Sequence, residues 1–218
     1  MILDEGFHEE QETRLSDREF FVQIWAKPRQ TFRYLLDTKY TKFVVALFVI
    51  ASIISGLCTL NELSLVSSPF FWVNLAGLII GNAIFYYFSA LMLTWSGNWM
   101  EGKATKQDLF IVVTSSLVPI ITIGFITFLI RVFVYGGEIL FDSIGSVGKN
   151  QFQNIVLKIT NFIFLGAQIW SLWLVVVGIS EAQNFTNGRA IGNIIFAGIV
   201  VMFFSWLISI FLMSILSI

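Results

Sequence analysis

Five long apolar stretches decide what this chain can fold into. They run over residues 43–60, 71–95, 109–135, 159–179 and 191–215. Each reaches or approaches the roughly 20 residues a helix needs to cross a hydrocarbon core. Inside lipid the backbone must satisfy its own hydrogen bonds, which a helix does within one segment. The expected fold class is all-α: a polytopic membrane protein built as a five-transmembrane-helix bundle. Composition agrees, because charged residues are 12% of the chain, about half the share usual in a soluble domain.

The polar residues divide the chain into three regions. Residues 1–17 are acidic (Asp4, Glu5, Glu9, Glu10, Glu12 and Asp17) and lack sustained periodicity, the pattern of a mobile tail. Residues 18–40 form an amphipathic segment at the cytoplasmic interface, and residues 41–218 hold the spans. In the middle region Phe20, Phe21, Ile24 and Trp25 mark one apolar face. Pro28 breaks that run and suits the first turn of a second helix, reaching about Asp37, with Phe32, Leu35 and Leu36 on one side. Arg29, Arg33 and Lys39 take the rest of its surface. Such a stretch lies either on the membrane surface or against the cytoplasmic end of its own bundle. A cleavable signal peptide is not expected, since no apolar run follows a basic start in the first forty residues.

Lysine and arginine set the expected orientation. One side of the spans carries Lys27, Arg29, Arg33, Lys39, Lys42, Lys103, Lys106 and Arg189; the other has Lys149 and Lys158, with Arg131 approaching it. The N-terminus is thus expected in the cytoplasm, and five crossings put the C-terminus outside. A net charge of -1 gives no signal for nucleic acid.

Polar and small residues inside spans are informative. Asn74, Gly77 and Gly81 share a helical face, and the two glycines form a GxxxG pair that permits close helix approach, within the bundle or in a homodimer. Asn161 and Gln168, seven apart, share a face suited to hydrogen bonds across helices or to a solute path. Pro119 interrupts the third span and frees the carbonyl of Ser115, with the Ser115 and Ser116 hydroxyls near enough to compensate. Arg131 should snorkel outward beside Tyr135 or pair with Glu62 or Glu138. Trp72, Trp95 and Trp99 suit an interfacial belt, whereas Trp170 and Trp173 lie deeper and are expected to pack on neighbours.

The chain is poor in reactive groups. His8 is its one histidine and Cys58 its one cysteine, and no HExxH, P-loop or GxGxxG occurs. No catalytic residue, metal or cofactor is expected, and neither is an enzyme. The expected role is a scaffold or adaptor that organises a protein partner or lipids at the membrane. Its surface would comprise Trp25, Pro28, Arg29, Phe32, Arg33, Trp99, Lys103, Lys106 and Arg189. The alternative is a small-solute or ion transporter or channel subunit, with Asn161, Gln168, Ser115, Pro119 and Arg131 along its path.

A family resemblance supports this order of features. The stretch from Trp25 through Pro28-Arg29-Gln30-Thr31-Phe32-Arg33 resembles the segment that leads into the first span of bacterial Yip-family proteins. Trp99-Met100-Glu101-Gly102-Lys103-Ala104-Thr105, followed by Ser115 to Pro119, is similar to that family's loop and third span. Trp170 to Gly178, then Thr186-Asn187-Gly188-Arg189-Ala190, resembles its fourth span and next loop. The resemblance implies five spans, a cytoplasmic N-terminus and a bacterial inner-membrane location. Eukaryotic Yip proteins interact with Rab/Ypt GTPases and carry an Asp-Leu-Tyr-Gly-Pro motif. This chain lacks that string, which points to a prokaryotic member.

Overall fold

The computed structural model describes residues 17–39, 41–59, 69–136 and 150–216, and every regular element among them is a helix. In chain order these are α1 (Asp17–Ala26), α2 (Pro28–Asp37), α3 (Val44–Thr59), α4 (Pro69–Trp99), α5 (Lys106–Ser115), α6 (Val118–Tyr135), α7 (Gln151–Gln183) and α8 (Asn187–Leu216). The acidic residues 1–16 and the expected Arg131 partners Glu62 and Glu138 lie outside the described residues, as do the side chains of Trp72 and Asn74.

Four stretches are long and apolar enough to cross a membrane: Ala76–Trp99, Lys106–Tyr135, Gln151–Gln183 and Asn187–Phe204. The shorter apolar helix Val44–Ile54 supplies the first of the five expected apolar passes. Helices α5, α6 and α7 form the centre. Helices α4 and α8 lie outside, with few buried residues. Their exposed Ile80, Ile84, Phe85, Ile195, Ile199 and Met202 are the outward apolar surface expected where lipid is the solvent.

The third span is two helices rather than one kinked helix. Pro119 stands at the start of α6, where its missing N–H costs least. The break falls at Ser116 and Leu117. Ser116 Oγ donates back to the Val112 carbonyl at 2.8 Å, and Ser171 of α7 donates its hydroxyl to the Ser116 carbonyl. Compensation for the break therefore comes partly from the neighbouring span, which local reading of Ser115 and Ser116 does not reveal. The fourth span is longer than expected, because α7 extends its apolar core by polar turns at both ends.

Gly77 and Gly81 correct one expectation. Among the described residues a Cβ added at either would meet nothing within 4 Å, so none of those residues uses the close approach that their spacing permits. The glycines that do mediate contact stand elsewhere. A Cβ at Gly178 would lie 2.5 Å from Val112 and 3.1 Å from the Phe32 ring, so this glycine lets α2 and α5 press onto α7.

Arg131 is corrected too. It is 2% exposed and does not snorkel to the surface. Its Nε donates to Thr160 Oγ1 at 3.1 Å and its Nη2 to Asn161 Oδ1 at 2.7 Å, joining α6 to α7. Asn161 thus bonds across helices, while Gln168 is exposed and does not share that contact. Trp170 packs on a neighbour as expected, stacking on Trp25 of α1 at 6.5 Å, although Trp170 and Trp173 remain 37% and 42% exposed.

Candidate interaction site at the basic end

Helices α1 and α2, the end of α4, the start of α5, the end of α7 and the start of α8 meet at one end of the bundle. Most of the fully buried side chains collect there, including Ile24, Phe32, Leu35, Leu109, Val112, Leu174 and Ile179. The open choice for α2 resolves in favour of its own bundle. Phe32 and Leu35 are 0% and 1% exposed and lie against α7 and α5. Phe32 cannot therefore serve as a contact surface, contrary to the sequence-based expectation. It anchors the helix that displays Arg29 and Arg33.

Ion pairs span the outer rim of this end. Arg29 Nε sits 3.0 Å from Glu181 Oε1, and its Nη2 donates to Asn187 Oδ1 at 3.0 Å. Arg33 reaches the other oxygen of the same carboxylate, with Nη2 at 3.0 Å and Nε at 3.3 Å. One glutamate thus receives two arginines spaced one helical turn apart. Lys39 bonds Asp108, whose other oxygen accepts from the Thr105 N–H at 3.0 Å and the Thr105 hydroxyl at 2.7 Å. Asp108 N–H returns a bond to Thr105 Oγ1 at 3.3 Å, completing a capping box at the start of α5. A cavity of about 440 Å³ lies between these pairs, lined by Arg33, Asp37, Lys39, Asp108, Glu181 and Asn184.

Both arginines are more than half exposed, so each pair contributes at most about 1 kcal/mol. Glu181→Ala, which removes both pairs, is accordingly expected to lower global stability by about 2 kcal/mol or less. Hydrogen exchange should nevertheless speed up in α2, because both of its charged tethers end on that residue. Unchanged exchange in residues 28–37 would show that apolar packing alone holds the helix.

Beneath the rim lies a polar lock that the sequence reading missed. Gln183 is 1% exposed, and its Oε1 accepts from the Ala104 N–H at 3.1 Å while its Nε2 donates to the Leu93 carbonyl at 3.4 Å. Asn193, fully buried, donates to the same carbonyl at 3.4 Å and accepts from Ser96 Oγ at 2.8 Å. Gly97 and Gly102 make room for the Gln183 amide. The sequence signal available was two amides near the turns at this end together with glycines at the end of the second span.

The remaining expected residues are dispersed over this end. Trp25 is half-buried against Trp170, and Pro28 opens α2. Trp99 is 71% exposed and lies 5.0 Å from Trp95 and 6.3 Å from Phe196. Lys103 and Lys106 are exposed. Arg189 donates to the Met100 carbonyl and stands 4.8 Å over the Phe185 ring. Asn184 ends α7 in the left-handed conformation (φ 57°), a position asparagine tolerates better than most residues. Among the described residues no group of three or more His, Cys, Asp or Glu side chains could hold a metal.

These features define a class: a multi-pass helical membrane protein with a lipid-facing apolar exterior and one charged, hydrogen-bonded end. The family model of the Yip1 domain matches residues 22–209, and the chain belongs to that family. No curated protein and no solved structure matches it.

Proposed function

We propose that the chain is a non-enzymatic scaffold or adaptor that organises a protein partner or lipids at the cytoplasmic face of a bacterial inner membrane. Membership of the Yip1 domain family supports an interaction role. The observation that carries the reading is the basic end itself. Exposed Trp99, Lys103, Lys106 and Arg189 share it with the Arg29–Glu181–Arg33 clamp. Rim charges of this kind steer a partner and set its register. The excess of lysine and arginine on this side supports a cytoplasmic location and an external C-terminus.

Crosslinking from the basic end in native membranes, with partners identified by mass spectrometry, tests the proposal. Joint replacement of Lys103 and Lys106 by glutamate is expected to cut partner capture about tenfold, since reversing two rim charges slows association. These residues lie clear of the α2 clamp, so the fold should be kept. Arg29→Glu with Arg33→Glu should weaken capture as well, through loss of the clamp. Capture that survives both double variants unchanged would remove this surface from the function.

A further inference from the structure

A second cavity, of about 570 Å³, lies beside the clamp where the first turn of α2 crosses α7 and the start of α8. Its polar lining is Lys27, Arg29, Gln30, Arg33 and Asn187, and its other wall is Trp173 and Val177 of α7 with Pro28. Three cations line it and no acid does. Glu181, the carboxylate paired with two of these cations, is held by Arg29 and Arg33, which leaves three positive charges against one negative. Lys27 is exposed, at the N-cap position of α2.

The apolar wall does not stop at the cavity. Trp173 is 42% exposed, and Ile169, four residues before it on α7, is 63% exposed. Residues three and four apart share a helical face, so these side chains extend the wall away from the basic end along the span. The groove thus has a cationic, hydrogen-bonding mouth at the charged end and a floor that runs onto the outward apolar surface. A free anion would use the mouth alone. An amphiphile with an anionic phosphate head and acyl chains uses both.

We infer that this groove binds an anionic phospholipid, its phosphate between Lys27 and Arg29 and its acyl chains along Trp173. The site rests on the scaffold reading only for its place at the cytoplasmic end, and it needs no protein partner. The lipid would bridge α2 to α7 on the side away from the Lys39–Asp108 pair and reinforce the docking that Glu181 provides.

The test uses the full chain purified in detergent and titrated with phosphatidylglycerol or phosphatidylcholine, with bound lipid counted by native mass spectrometry. Phosphatidylglycerol is expected to be retained in preference. Lys27→Glu should weaken it about 30-fold, in keeping with the attraction of one basic side chain near an anionic lipid doubled by charge reversal. Trp173→Ala should weaken both lipids. Lys158→Glu, an equal charge change on an exposed residue at the far end of α7, should change nothing. Lys27→Gln keeps the test valid if the glutamate variant fails to fold, with a loss of about fivefold expected. Equal retention of the two lipids, no loss in either Lys27 variant, or the same loss in Lys158→Glu would overturn the site. Displacement of the lipid by millimolar inorganic phosphate, with Trp173→Ala unaffected, would make it a free-phosphate site and overturn the lipid assignment. Lipid binding with no protein captured would spare this site and count against the protein-adaptor reading; the reverse result would do the opposite.

Discussion

Gly97→Ala is expected to destabilise the protein by about 3 kcal/mol, whereas Gly166→Ala should stabilise it by about 0.5–1 kcal/mol. Both glycines are in helices, and alanine is the better helix former by nearly the same amount in each. What differs is the space. At Gly97 an added Cβ would fall 2.1 Å from Gln183 Nε2 and 2.9 Å from Asn193 Nδ2. Those amides cannot yield cheaply. A Cβ at Gly102 would fall 2.0 Å from Gln183 Oε1, so the Gln183 amide is confined from a second side. Moving it breaks its bonds to Ala104 and Leu93, and a buried amide without partners costs about 1–3 kcal/mol. At Gly166 a Cβ would meet nothing within 4 Å. Thermal unfolding in detergent, followed by tryptophan fluorescence, reads both signs. Equal shifts in one direction would mean that the Gln183 lock does not constrain the fold.

Phe32→Ala is expected to cost about 3–5 kcal/mol, the usual range for emptying a fully buried aromatic site. Phe32 is 0% exposed, and its ring lies over Gly178 beside Val112. That glycine leaves no side chain on α7 that could fill the vacated space. The loss should concentrate in α2, whose other deep anchors are Leu35 and Thr31. Limited proteolysis at Arg29, a site kept in both variants compared below, is therefore expected to accelerate strongly in Phe32→Ala. Arg33→Ala, which removes one exposed arm of the clamp, should shift stability by about 1 kcal/mol or less. If cleavage rates of the two variants match, the clamp rather than the aromatic anchor holds α2.

The membrane class, the number of apolar passes, the helix opened by Pro28 and the gathering of basic residues at one end were all legible in the chain. Each rests on local information: the length of an apolar run, a proline that fixes φ, or a charge near the end of a span. The candidate surface was legible only in outline. Arg29, Arg33 and Arg189 were found as charges, but their acceptors Glu181, Asn187 and the Met100 carbonyl lie far away in sequence. Phe32 was misplaced because an aromatic on an amphipathic helix reads the same whether lipid or protein covers it. Gly77 and Gly81 misled for the complementary reason: spacing shows that a helix can be approached closely, not that a neighbour stands there.

The sequence by itself determined that this chain enters a membrane as helices, because burying the backbone in lipid leaves no other use for such apolar runs. Only the tertiary structure decided which glycines receive a neighbour, that Gln183 and Asn193 share the Leu93 carbonyl, and that Glu181 holds both arginines of α2. Those outcomes depend on distances between residues up to about 160 positions apart, as in the Arg29–Asn187 bond with its separation of 158. No local periodicity encodes such a distance; the packing of α2, α4 and α8 around α7 sets it.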